Sequence, residues 1–302
     1  MDKQLTLVTG GTGFVGSHLK NYLLPSTCLC PTRATVDIRD KEKLKEFVKS
    51  VNPTSVIHLA AQTTVPRSFE DPYETFDINF IGTLNLLMAL KAADFKGKMI
   101  YVSSGEVYGI LPEKALPVVE DYPLKPVNPY AVSKIAAEAL CYQWSQTSNF
   151  QIIIVRPFNH IGPGQSEYFA IPDFAKQIIE IKLGLRKNVI NVGALDVTRD
   201  FTDVRDIVQA YILLLNKGIN GQVYNVCSGK EVEMRFVLQT MIEFASINAE
   251  IIEDKSRFRK SSHRRICGSF QKLKCDTGWV PKIPIIQTLK DVLSDTERKF
   301  ER

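Results

Sequence analysis

From Leu5 to Val155, short apolar runs alternate with helix-length amphipathic segments, and this alternation constrains the fold more than any other feature of the chain. Leu5–Val8, Thr27–Cys30, Ser55–Leu59, Lys98–Ser103 and Gln151–Val155 read as strands. Between them the apolar period changes to that of a helix. Phe14, Val15, His18, Leu19, Tyr22 and Leu23 form one stripe, stopped by Pro25. Asp40 is placed to cap Lys41–Ser50, whose stripe is Leu44, Phe47 and Val48. Tyr73–Ala92 reads as one long helix, and Asn128-Pro129 puts a cap and a first-turn proline in their preferred places. Strands separated by helices of about 10–15 residues predict right-handed βαβ units and a doubly wound parallel sheet, an α/β fold of Rossmann type.

After Arg156 the texture changes, with Pro157, Gly162, Pro163 and Gly164 interrupting the chain. Helices are expected at Pro172–Leu183, Val204–Leu215 (capped by Asp203), Val232–Ala245 and Pro284–Phe300, with strands at Val189–Val192 and Gln222–Val226. The expected division is a dinucleotide-binding domain over 1–160, joined again by 194–218, and a smaller α/β substrate lobe built from 161–193 and 219–302.

Composition excludes several classes. With 302 residues, 44% hydrophobic and 24% charged, the chain can bury a sizeable core. Its 38 basic and 33 acidic residues leave +5, too mild a balance for a nucleic-acid tail. No apolar run approaches the roughly 18 residues needed to span a bilayer. Leu5–Val8 is too short for a signal peptide and runs into a glycine loop. Six scattered cysteines, with only Cys28 and Cys30 close together, match neither a disulfide framework nor a zinc hairpin. Reduced thiols and a cytoplasmic location are expected.

Two local patterns carry chemistry. Gly10-x-x-Gly13-x-x-Gly16 follows a strand and opens a helix, so the backbone can approach a diphosphate and the helix N-terminus can face it. The acidic residue expected about 20 positions on, to hold a free ribose 2′-hydroxyl, is missing. Arg33 stands at the tip of the second strand instead and suits a 2′-phosphate, which favours NADPH with NADH as the alternative. In Tyr130-Ala-Val-Ser-Lys134 the phenol and ammonium share one helical face. The lysine charge is expected to lower the phenol pKa and fit it for proton transfer to a carbonyl oxygen. Ser104, after a strand, can share the developing charge on that oxygen.

Taken together, the glycine loop, Ser104, Tyr130 and Lys134 resemble the extended short-chain dehydrogenase/reductases in order and distance. The resemblance implies further roles. Gly10, Gly13, Phe14, Val15 and Gly16 would form the diphosphate loop. Asp37-Ile38 would touch the adenine, Leu59-Ala60-Ala61 would run under the adenosine, and Asn79 of Asn-x-x-Gly-Thr would brace that turn. Lys134 would also hold the nicotinamide ribose. Gly105 and Glu106 follow the serine where related 4,6-dehydratases keep an acid-base group. For Glu106 the roles of base, substrate ligand and relic all stay open.

At the substrate end, Asn159 of Arg156-Pro-Phe-Asn-His-Ile-Gly-Pro-Gly-Gln165 resembles the asparagine that holds a sugar-nucleotide diphosphate. Arg199 of Arg199-Asp-Phe-Thr-Asp resembles the arginine contacting the nucleotide. In the basic run 255–265, Arg259 has the family spacing for a diphosphate-gripping arginine, with Arg264 and Arg265 as second choices and Lys176 as a further nucleotide contact. Over nearly the whole chain the resemblance is greatest to bacterial GDP-6-deoxy-D-mannose reductases. It implies NADPH-dependent reduction of the C4 keto group of GDP-4-dehydro-6-deoxy-D-mannose to GDP-D-rhamnose, and a homodimer through 73–92 and 129–147. The short path from Arg33 to Asp37 lacks the arginine-containing loop of GDP-mannose 4,6-dehydratases. The alternatives are such a dehydratase, a reductase forming GDP-6-deoxy-D-talose, a dinucleotide-sensing scaffold, and a nucleic-acid binder using the basic run. The first two stay within the same chemistry; neither nucleic acid nor membrane is expected as a partner.

Overall fold

The computed structural model describes residues 4–23, 25–257 and 264–301. Its centre is a six-stranded sheet made of β1 (Thr6–Thr9), β2 (Cys28–Leu29), β3 (Ser55–His58), β4 (Lys98–Val102), β5 (Gln151–Pro157) and β9 (Val223–Val226). The strands lie in the order β2-β1-β3-β4-β5-β9, every pair parallel. Side chains alternate across it. Leu7, Val56, Met99, Ile152 and Ile154 face α2 (Lys41–Val51), α5 (Gly82–Ala92) and α6 (Pro129–Thr147). Val8, Ile57, Ile100, Ile153 and Val155 face α1 (Phe14–Tyr22) and α8 (Val204–Lys217). Because helices cover both faces, the middle residues of the central strands are apolar on both sides, as in a parallel sheet, and the polar residues sit toward the strand ends. The order reverses between β1 and β3, and a crevice opens at the carboxyl ends of the strands there.

The predicted caps are present. The Asp40 side chain accepts from Lys43 N at 3.0 Å, Asn128 from Ala131 N at 2.8 Å, and Asp203 from Arg205 N at 2.8 Å. The helix expected over Tyr73–Ala92 differs. It divides into α4 (Pro72–Phe76), a π-helical turn Asp77–Ile81 and α5. The wide turn directs Asn79 inward, and Gly82 behind it lies against Ile38, with no space for a Cβ. A short α3 (Val65–Glu70), not anticipated, precedes them.

The second lobe surrounds a separate apolar core. Ile178 of α7 (Ala170–Lys182), Val237 of α9 (Met234–Ala245) and Leu289 of α11 (Ile285–Phe300) meet there. Two small sheets flank it. In one, β8 (Thr198–Asp203) lies between β10 (Glu231–Glu233) and β6 (Asn159–Ile161); in the other, β7 (Val189–Val192) pairs with β11 (Glu250–Glu253).

The elements do not divide at 194 and 219 as expected. Leu195 and Phe201 pack into the second-lobe core, and within 194–218 it is α8 that returns to the first lobe. Beyond 219, β9 completes the main sheet, and α10 (Gln271–Thr277) with Trp279 packs under it. Trp279 meets Phe270 edge to face at 5.7 Å and donates from Nε1 to the Asp206 carbonyl at 3.0 Å. Trp279→Ala should therefore cost about 3–5 kcal/mol of the first lobe's stability. Denaturant melts in which that variant matches the parent would refute the assignment of this segment to the sheet.

Candidate functional site

The crevice is a cleft of about 1630 Å³ running from the glycine loop to the second lobe. Gly10 sits at φ +69°, and a Cβ there would lie 2.6 Å from the backbone nitrogen of Ala60. The loop is thus laid directly on the turn after β3, in the close approach a diphosphate cradle needs. Gly13, Phe14, Val15 and Gly16 line the same end, and so do Leu59, Ala60 and Ala61 across from them.

At the far corner, Arg33, Asp37 and Ile38 also line the cleft. Arg33 Nε lies 3.0 Å from Asp37 Oδ2, and Arg39 Nη2 lies 2.7 Å from the same oxygen. Hydrogen bonds from Arg39 hold the Asp37 carboxyl far below the usual carboxylate range. Arg39, which the sequence reading missed, adds a second guanidinium to the corner. Arg39 also pairs with Asp77 at 3.8 Å, so Arg33, the more exposed of the two guanidiniums, is the group placed to meet a 2′-phosphate.

Asn79, expected as a brace of the turn and counted with the cofactor site, does not itself line the cleft. It is buried behind the cleft, where its Oδ1 accepts from Gln62 N at 2.8 Å and its Nδ2 donates to Gln62 O at 3.1 Å and Ser133 Oγ at 2.9 Å. It braces the turn after β3 and ties it to α6. Behind that turn the tautomer of His58 follows from hydrogen-bond logic. Thr83 Oγ1 donates to Asn79 O at 2.7 Å, so it accepts from His58 Nε2 at 3.1 Å, and Nδ1 then accepts from Thr9 Oγ1 at 2.6 Å. Burial, with the Lys134 charge nearby, pushes His58 down to about 3, so the imidazole is neutral.

The catalytic candidates converge on the middle of the cleft. Asn128 and Pro129 start α6 so that Tyr130 and Lys134 occupy one inward face, both buried. Ser104 begins the turn Gly105–Tyr108 after β4 and accepts from Glu106 N at 3.2 Å. Asn128 Nδ2 donates to Glu106 Oε2 at 3.3 Å, which ties the serine turn to the helix start. Lys134 Nζ donates to the Val102 carbonyl at 2.8 Å and lies 5.9 Å from the Tyr130 ring centroid.

The Tyr130 pKa departs from expectation. Burial pushes it up to about 12, against the pull of the Ser104 hydrogen bond and with a further push from the Glu106 charge. Burial lowers Lys134 to about 8 while the Glu138 carboxylate opposes it. Desolvation therefore outweighs the Ser104 hydrogen bond at the phenol. A phenol held protonated remains a proton donor, which is the form a carbonyl reduction consumes.

Arg156 clamps this arrangement from behind. Its Nε and Nη2 reach both oxygens of Glu138, the shortest at 2.7 Å, and its Nη1 donates to Tyr108 OH at 3.0 Å. Tyr108 belongs to the serine turn, and Glu138 lies one turn beyond Lys134 on α6. Glu138→Gln should lower stability by about 3–5 kcal/mol, because it leaves a buried guanidinium without its counter-charge. It should also lower the Lys134 pKa, so the alkaline fall in kcat/KM, expected near pH 8, moves to lower pH. An unmoved limb in a pH–rate profile would rule out this coupling.

At the substrate end Asn159 and Arg199 line the cleft, and Arg199 Nη1 donates to Thr198 O at 2.7 Å. Three expected contacts lie elsewhere. Lys176 pairs with Glu167 at 2.8 Å, and Arg265 pairs with Glu231 at 2.9 Å and Glu113 at 3.1 Å. Neither they nor Arg264 reaches the cleft wall. Arg259 lies outside the described residues. Arg257, not foreseen, does line the cleft and holds Asp173 Oδ2 at 2.9 Å. Ser103 Oγ and Tyr211 OH are buried cleft-lining hydroxyls without a protein partner, polar atoms of the kind a bound cofactor or ordered water satisfies. Among the described residues no cluster of side chains could hold a metal ion.

Comparison with known proteins adds four likenesses. The family model for GDP-mannose 4,6 dehydratase matches residues 32–292. The GDP-6-deoxy-D-mannose reductase of Pseudomonas aeruginosa is 46% identical over 299 residues, 98% of this chain and 98% of the relative. The structure of RMD from Pseudomonas aeruginosa complexed with NADPH superposes with TM-score 0.92, at 46% identity over 98% of this chain and 99% of that one. The GDP-6-deoxy-D-talose 4-dehydrogenase of Aggregatibacter actinomycetemcomitans is 29% identical over 88% of this chain and 89% of the relative.

Proposed function

This chain belongs to the GDP-mannose 4,6 dehydratase family of extended short-chain dehydrogenase/reductases, and from that premise we propose that it is an NADPH-dependent reductase of GDP-4-dehydro-6-deoxy-D-mannose, forming GDP-D-rhamnose. The observation that carries the reading is the meeting of Ser104, Tyr130 and Lys134 in one cleft with the glycine loop and the Arg33–Asp37–Arg39 corner. NADPH, when bound, supplies the hydride. The chain's own groups do the rest. Tyr130 gives its proton to O4 of the keto sugar as the carbon is reduced, Ser104 donates a hydrogen bond to the developing oxyanion, and the Lys134 ammonium stabilises the phenolate left behind. Arg199 and Asn159 hold the GDP, so that binding energy remote from C4 positions a small reacting centre. Arg257 joins them as a nucleotide-side cation. Glu106, fixed by Asn128 beside the serine, orients the sugar.

Glu106 also motivates the second reading, a 4,6-dehydratase, which needs an acid-base group beside the tyrosine. Incubation with GDP-mannose without added NADPH separates the two: accumulation of the keto sugar would replace the reductase reading. NMR of the reduced product distinguishes rhamnose from 6-deoxytalose. Tyr130→Phe should lower kcat by roughly 10²–10⁴-fold while leaving the Kd for NADPH within a few-fold; turnover at the parent rate would remove Tyr130 from the mechanism.

The chain is further read as a homodimer through helices 73–92 and 129–147. Tyr73, Ile81, Met88, Val132 and Tyr142 leave large apolar side chains exposed along those elements. It is read as cytoplasmic, in keeping with six unpaired thiols. Among the described residues no helix is long and apolar enough to cross a membrane.

A further inference from the structure

We propose that Cys28 and Cys30 are a thiol–disulfide modification site that releases the cofactor when the protein is oxidised. The proposal rests on the reading of the cleft as an NADPH site.

The two cysteines lie two residues apart at the end of β2, so their side chains share one face of the strand. Their sulfurs are 3.5 Å apart and half-buried. β2 is the edge of the main sheet and pairs with β1 through two residue pairs, Thr6 with Cys28 and Leu7 with Leu29. The Cys28 thiol hydrogen-bonds Cys30, and Lys20 of α1 adds a positive charge. Both hold Cys30 below the ordinary thiol range, while Cys28 is raised above it. Lys20 favours a thiolate at the pair, and Cys30, whose sulfur is seated on the glycine loop, is taken as the attacking thiolate with Cys28 resolving.

The pair is joined to the cofactor loop by direct packing. A Cβ on Gly11 would lie 2.6 Å from both Cβ and Sγ of Cys30, so the sulfur is seated on the glycine loop itself. Pro31, the next residue, and Arg33 line the cleft. The Cα atoms of residues two apart in a strand are about 6.6 Å from each other, at the upper end of the roughly 4.4–6.8 Å that a disulfide tolerates. Drawing the sulfurs from 3.5 Å to a bond of about 2.05 Å must pucker the edge strand and pull Cys30 off Gly11. Such a strained bridge is readily reduced again, which suits a reversible device.

The chemistry balances with a small-molecule disulfide of the glutathione class. The Cys30 thiolate attacks one sulfur of that disulfide; a mixed disulfide forms and one thiolate leaves. Cys28 loses its proton to solvent and attacks the Cys30 sulfur, and the second small thiol leaves. Two protein thiols are oxidised and one disulfide is reduced to two thiols. The consequence would be an enzyme that stops drawing on NADPH when the thiol pool is oxidised.

The test uses the full chain in glutathione buffers of rising oxidised fraction, with NADPH affinity followed by fluorescence titration and residues 28–30 by peptide mass. The reduced protein should bind NADPH. Oxidation should remove two hydrogens from that peptide and weaken binding at least tenfold, and dithiothreitol should restore both. Cys28→Ser should stop at a glutathione adduct on Cys30, and Cys30→Ser should keep its NADPH affinity in oxidant. A peptide that stays reduced in fully oxidised buffer overturns the proposal, and so does a bridged protein that binds NADPH like the reduced one. Reduced protein that does not bind NADPH at all strikes the cofactor reading, and this inference with it.

Discussion

The bond from the Lys134 ammonium to the Val102 carbonyl is the constraint on which the site depends. A cation buried among Tyr101, Tyr130 and His58 must have a fixed acceptor, and the free end of β4 supplies one. Together with Ala137 and Cys141 packed on the sheet, that bond fixes the face α6 turns toward the cleft and so where Tyr130 stands. The serine turn leaves the same strand end immediately afterwards, so Ser104 and Tyr130 are referred to one anchor. Arg156 closes the arrangement from the far side by holding Glu138 and Tyr108 together. The proton donor and its hydrogen-bond partner are thus fixed by backbone and buried charge rather than by loops.

Electrostatics at the two ends of the cleft follow opposite logic. At the phenol, desolvation dominates and keeps the proton on oxygen. At the Arg33–Asp37–Arg39 corner the groups are partly solvated, and hydrogen bonding dominates, so the carboxylate stays ionised between two guanidiniums. The first environment suits a group that gives up a proton only to a substrate oxygen. The second suits recognition of a highly charged ligand without covalent change.

Local chemistry made much of this legible in the sequence. Asp40, Asn128 and Asp203 announce their helices because a cap is decided within four residues. The glycine loop and the Tyr130–Lys134 spacing are legible for the same reason. What could not be read depends on tertiary context. The π turn that aims Asn79 inward arises where Gly82 meets Ile38, and no periodicity reports it. Arg39 and Arg257 reach the cleft through the path of the backbone, whereas Arg265 is taken by Glu231 and Glu113. The sign of the Tyr130 shift turned on burial, which the spacing of two residues does not contain.

The main sheet is assembled from distant parts of the chain, since β9 arrives only after α7, β7 and β8, and Trp279 only after α9 and β11 as well. During synthesis β5 therefore waits with a bare edge until β9 has been made, and the face it shares with α8 is completed only when Leu273 and Trp279 arrive near the end of the chain. The nucleotide-holding half is thus completed by segments made in alternation with those of the second lobe, which favours late consolidation of the two together. An interrupted translation product would expose an apolar ledge that invites chaperone capture.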